Sequence, residues 1–134
     1  MINDIQSLLV QQLKNVFGVE VHDEHIQQNL IEPYFLVLLT KIDSIRKLNR
    51  RIKETAFFNV IYYPRNKTEP RKECITIQSK LRKEFKYLAN QYQIKAVESN
   101  FRDDSLSILI QIDYYMLEVN EEEKMKELGV IVHE

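Results

Sequence analysis

Hydrophobic and polar positions change period several times along the chain. Ile2, Ile5, Leu8, Leu9, Gln12, Leu13 and Val16 recur at helical spacing, so a first helix running to about Asn15 carries one apolar face. Asn3 or Asp4 can cap its start and Gly18 its end. Val19 and Val21 then point one way, Glu20 and His22 the other, which predicts a short edge strand over 19–26. After Glu32-Pro33, the run from Tyr34 to Ile42, unbroken in its apolar residues as far as Leu39, has the pattern of a central strand covered on both faces. The polar, basic stretch from Asp43 to Asn49 reads as a turn or loop. From Arg51 to Tyr63 the residues alternate. Ile52, Glu54, Ala56, Phe58, Val60 and Tyr62 form the more apolar set, so that set faces the core.

The cluster from Pro64 to Pro70 breaks this strand and leads into a second helix over about 71–90. Cys74, Ile77, Leu81, Phe85 and Leu88 make its apolar stripe, and Lys72, Lys80, Arg82, Lys83 and Lys86 lie opposite. A hairpin closes the body. Residues 93–102 run into the polar turn Asp103-Asp104-Ser105, and 106–119 return with Leu106, Ile108, Ile110, Ile112 and Tyr114 on one side. The charged stretch 120–128 reads as one or two helical turns, and Gly129-Val-Ile-Val-His-Glu134 as a short β-prone tail. The order is α-β-β-β-α-β-β plus a tail. It predicts an α+β domain over 1–119, with helices on a largely antiparallel sheet, and an extension over 120–134.

Composition narrows the function classes. The chain has 134 residues, a length that suits one domain. Two glycines leave no room for a Gly-rich phosphate loop, and one cysteine excludes an internal disulfide framework. No segment is apolar enough to cross a bilayer as a helix, so no membrane partner is expected. The N-terminus lacks the pattern of a signal peptide, and a reducing cytoplasm is the expected place of synthesis.

The net charge of −1 hides a split. Residues 41–86 carry 14 Lys+Arg and 5 Asp+Glu, a net of +9, against −10 for the rest. Such asymmetry marks a nucleic-acid surface or a subunit whose basic face meets the acidic face of a copy. Solvated surface charge is the plainer explanation.

Candidate chemistry is sparse. His22-Asp23-Glu24-His25 resembles a ligand cluster, yet the two histidines share a face only in a helix, and a polar turn explains them. Asp103-Asp104 has the form of a carboxylate pair, but aspartates favour hairpin turns. Cys74 reads as a small hydrophobe rather than a thiol nucleophile. No catalytic residue, cofactor or metal ligand is implied, and an enzyme is not expected. The strongest local signal is Arg46-Lys47-Leu48-Asn49-Arg50-Arg51-Ile52-Lys53, followed by Phe57, Phe58, Tyr62 and Tyr63. Basic residues with exposed aromatics can bind single-stranded nucleic acid. The alternative is that the aromatics belong to the core and the cations to a projecting hairpin.

The layout resembles the tail terminator proteins of long-tailed phages and of defective prophages of Gram-positive bacteria. The resembling features are Met1-Ile-Asn-Asp-Ile with its amphipathic helix, Glu32-Pro-Tyr-Phe35, and Thr55-Ala-Phe-Phe-Asn-Val-Ile-Tyr-Tyr-Pro64. The helix after Pro70 and the hairpin ending in Asp113-Tyr-Tyr follow in order. The resemblance implies a structural virion protein that forms a hexameric ring with copies of itself on the head-proximal end of the tail tube. It also implies contact with the tube protein, with a neck or head-completion protein, and with sheath protein in a contractile tail. DNA would pass through the lumen without sequence-specific binding. In such a ring, Arg46, Lys47, Arg50, Arg51 and Lys53 are expected to meet Glu118, Glu121, Glu122 and Glu123 of a neighbour, or to face the lumen. A nucleic-acid-binding or regulatory module using 41–86 is the competing reading. The tail over 129–133 can add a strand to a neighbouring sheet edge or pair within its own subunit.

Overall fold

A computed structural model describes residues 2–23, 30–102 and 104–117. The first helix, α1, spans Ile2–Phe17 and buries Ile5, Leu9 and Leu13. Asn3 and Asp4 lie inside its first turn, where Asp4 suits the positive end of the helix dipole. Gly18, at φ 66°, ends it by donating its N–H to the Lys14 carbonyl at 2.8 Å.

The strands are β1 (Glu20–His22), β2 (Tyr34–Arg46), β3 (Arg51–Tyr63), β4 (Tyr87–Leu88), β5 (Tyr92–Phe101) and β6 (Leu106–Leu117). They form one sheet in the order β1-β2-β3-β6-β5-β4. The β1–β2 pair is parallel and every other pair is antiparallel. The second helix, α2, spans Pro70–Glu84. The expected α+β class and element order therefore hold, with three local differences.

First, β1 is shorter than expected, and 24–29 lie outside the described residues. Second, β2 continues to Arg46 where a loop from Asp43 was expected. Ladder pairing with β3 carries Asp43, Ser44 and Ile45 in extended form, although Asp43 and Ser44 are polar. Both faces of β2 are covered only at Phe35, Leu36 and Val37. Third, α2 stops at Glu84, not Asn90. Phe85 caps it, donating to the Leu81 carbonyl, and Tyr87–Leu88 turn back as β4. Leu88 is buried as expected, but from a strand.

One face of the sheet carries the core. Ala56, Phe58, Val60 and Tyr62 of β3 and Leu106, Ile108, Ile110, Ile112 and Tyr114 of β6 are buried together with the apolar faces of α1 and α2. The two-residue alternation of each strand sends these side chains to one side. Gln12 fixes α1 to the β4 turn. Its amide donates to the Tyr87 carbonyl at 3.0 Å and accepts from the Ala89 N–H at 2.8 Å.

The breaker cluster is ordered by two side chains. Asn66 Oδ1 accepts from the N–H groups of Thr68 and Glu69, an Asx turn that leads into Pro70 at the first helical position. Glu73 accepts from Tyr62 OH at 2.6 Å and from the N–H groups of Arg65 and Asn66. Burial opposes its charge, but these bonds outweigh it and hold the Glu73 carboxyl below its ordinary range.

Candidate subunit interface

The helix-covered core reaches only part of the way along the sheet. From Thr40 to Arg51 the chain is exposed, and the ends of β2, β3 and β6 continue as a three-stranded arm. The arm starts at a register shift between Leu39 and Lys41 in β2, where Thr40 Oγ1 donates to the Phe57 carbonyl. Such a bulge increases twist and turns a strand out of the plane of its neighbours. At the tip, Leu48–Arg50 form a single tight turn in which Asn49 and Arg50 both have positive φ, 61° and 60°. Arg46 pairs with Ile52 across the hairpin, and Leu117, at the end of β6, pairs with Arg51.

Two carboxylates tie the arm together, one on each face. On the face continuous with the core, Glu54 accepts from Ser44 Oγ at 2.7 Å and from Tyr114 OH at 2.9 Å, linking all three strands. On the opposite face, Asp113 accepts from Thr55 Oγ1 at 2.8 Å. It also pairs with Lys95 at 2.9 Å and Lys53 at 3.3 Å. Burial opposes the Asp113 charge, but the bonds from Lys95, Thr55 and Lys53 outweigh it and hold the carboxyl below its ordinary range. The same partnership pushes the Lys95 amine up. Burial and the bond to Glu54 push the Tyr114 hydroxyl up.

The outer surface of the arm is mixed. Leu48 is 86% exposed, Leu117 69% and Ile45 54%. The Arg51 guanidinium lies 4.8 Å from the ring centroid of the exposed Tyr115, and Lys41 lies 5.3 Å from that of Phe57. Large apolar side chains presented beside cations are the mixture found at protein contact surfaces.

Of the expected interface residues, Arg46, Lys47, Arg50 and Arg51 gather at the arm tip, all exposed. Lys53 is half-buried against Asp113. Glu118, Glu121, Glu122 and Glu123 lie outside the described residues. The basic middle of the sequence is not one face. Its other half sits on the outer side of α2, where Lys72, Lys80, Arg82 and Lys83 are exposed. Phe58 and Tyr62 belong to the core, and Tyr63 stacks on Tyr34 at 4.7 Å. Hence the aromatics that follow the basic stretch do not form one stacking platform beside it.

The hub residue Asp113 escaped sequence reasoning as a functional candidate. It falls in the more polar set of β6, with Ser107 and Gln111, so its sequence position alone does not set it apart; its pairing with Thr55 and Lys53 comes from the fold. Of the ligand-like cluster, His22 lies on β1, 3.2 Å from Glu20 and edge-on to Tyr34, while Glu24 and His25 are outside the described residues. Asp103 is outside them too, and Arg102 N–H closes that turn on the Ser105 carbonyl. Cys74 is buried, and burial pushes its thiol up, away from the thiolate a nucleophile needs.

An antiparallel α+β body with a stiffened, partly apolar arm has the form of a structural component of an assembly. The chain belongs to the phage tail terminator family: the family model described as phage tail terminator protein matches residues 4–124. A comparison with curated proteins finds no match. The family is structural rather than catalytic, which places the protein in the virion tail in association with other tail components.

Proposed function

We propose that this chain terminates the tail tube. Six copies form a ring on the head-proximal end, stop tube polymerisation, and present a docking surface to the neck and, in a contractile tail, to the sheath. The ring assembles from protein made in the host cytoplasm, with DNA passing through its lumen. Residues 1–119 are the body and 120–134 an extension. The observation that carries this reading is the arm. It exposes Ile45, Leu48 and Leu117 beside Arg46, Lys47, Arg50 and Arg51 on a rigid three-stranded scaffold. A closed ring needs two different patches on each subunit that fit one another. The arm supplies one, and the carboxylates from Glu118 to Glu123 supply charge for the other.

Reversing Arg50 and Arg51 to Glu tests it. The variant should keep the Tm of the wild type, since both residues lie outside the core, and should lose the ring by light scattering and electron microscopy. A variant ring of wild-type mass would refute the role of the arm. Where the free wild type is monomeric, the readout is capping of purified tube protein. A wild type that neither forms rings nor caps tubes would overturn the reading itself.

A further inference from the structure

A second concave site lies away from the arm tip. Where α2 ends, the link into β4 and the start of β5 enclose a cleft of about 280 Å³. Three cations line it, each from a different place: Arg82 on α2, Lys86 between α2 and β4, and Lys95 on β5. No carboxylate is among the described residues that line it. The floor is apolar, with Phe85 and Ile94 buried, and Tyr87 stands at the rim, 55% exposed. The backbone holds this arrangement in place. Ile94 N–H donates to the Lys86 carbonyl at 3.0 Å, and Tyr87 pairs with Gln93. Lys95 sits at a register shift in β5, the kind of irregularity that re-aims a side chain.

Offsetting the end of α2 explains only part of this charge. Arg82 and Lys83 lie in its last turn, where cations favour the helix dipole, but Lys86 and Lys95 lie beyond it. Lys95 has a second attachment. It pairs with Asp113 at 2.9 Å, and Asp113 also holds Lys53 and Thr55 at the base of the arm. The cleft adjoins that base, since Ile94 pairs with Ile112, the residue before Asp113. One ammonium is therefore shared between the cleft and the brace of the arm. An anion seated in the cleft competes with Asp113 for it.

We infer that the cleft receives an acidic segment of another tail protein, with one carboxylate among Arg82, Lys86 and Lys95 and an apolar neighbour against Phe85 and Tyr87, and that its arrival draws Lys95 from Asp113. Arginine and tyrosine at a pocket are the side chains that anchor protein contacts. The shape selects a protein segment over nucleic acid. These three cations meet at one small cleft with an apolar floor, whereas a phosphate backbone is tracked by cations spread along a face. The site is separate from the contact made by the arm tip and does not rest on the ring.

The test uses the full-length chain, a capped probe peptide of sequence GELEG, and a water-soluble carbodiimide, which joins carboxylates to the lysine amines they touch. Products are mapped by mass spectrometry. Lys86 and Lys95 should couple to the peptide about tenfold more than the exposed Lys72 and Lys83. The internal Lys95–Asp113 product should fall as the peptide couples, and the uncharged peptide GQLQG should leave it unchanged. Arg82→Glu, at an exposed position, should keep the wild-type Tm and remove the preference. Equal coupling at every exposed lysine overturns the site, as does a preference that survives Arg82→Glu. Preferred coupling with an undiminished Lys95–Asp113 product overturns the link to the arm. A short DNA duplex that suppresses coupling at a concentration far below that of the peptide overturns the choice of a protein partner. None of these readouts depends on ring closure, so failure of the ring would leave the inference standing.

Discussion

Asp113 shows how one side chain can set the behaviour of a surface. Its folded-state pKa is depressed, so its stabilising contribution is present above the ordinary carboxylate range and is lost as pH falls through the lower folded value. Glu73 has the same sign. Tyr62 and Tyr114 have the opposite sign: their hydroxyls are raised, so their contribution is present below about pH 10 and disappears only above it. Thermal stability should therefore hold a plateau from about pH 5 to 9 and fall below about pH 4. Asp113→Asn leaves Lys53 and Lys95 facing one another without their shared carboxylate. Its Tm should drop by roughly 4–10 °C at pH 7. The gap to wild type should narrow as the acid limb is reached. A gap that stays constant from pH 7 to pH 3 would show that the carboxylate charge is not what matters.

Among the elements, the connection from β4 to β5 is the least expected from sequence. The stripe through Cys74, Leu81, Phe85 and Leu88 has helical spacing, and nothing local contradicts a helix to Asn90. What ends the helix is tertiary: Gln12 of α1 holds the backbone of Tyr87 and Ala89, 75 and 77 residues away in sequence. Ala89 and Asn90 both adopt positive φ there, 52° and 54°, and the Gln91 N–H donates to the Leu88 carbonyl. Asparagine tolerates this region, whereas alanine is strained in it by about 1–2 kcal/mol. Ala89→Gly keeps the N–H that Gln12 accepts and relieves the strain, so Tm should rise by about 2–4 °C. An unchanged or lower Tm would mean that the turn is not strained.

The same contrast explains the rest of what the sequence revealed. The core faces of β3 and β6 were legible because strict alternation leaves one apolar side. The length of β2 was not legible, because Asp43 and Ser44 are polar on both counts and become strand only through their partners Thr55 and Glu54 in β3. The basic cluster was visible as a run of charge. Its division between arm tip and α2 depends on the fold.

Over the whole molecule, the core and the arm differ in protection. The core strands are covered by both helices, while 41–51 have water on both faces. Backbone amides of Lys41 to Arg46 should exchange with solvent orders of magnitude faster than those of Val60 or Ile110 in the free subunit. They should slow on assembly. Equal exchange in free and assembled protein would remove the arm from the interface.

In the ring proposed above, the ties at Glu54 and Asp113 would also bear on the number of subunits. They brace the arm from both faces before any partner arrives, so the angle at which it leaves the body is fixed in the monomer. In a head-to-tail contact that angle, repeated, decides whether a chain of subunits meets its own beginning or winds into a spiral. A slack arm would allow five, six or seven members at little difference in energy. A braced one makes the closure number a property of the folded subunit, and loosening it should broaden the distribution of ring sizes before it abolishes rings.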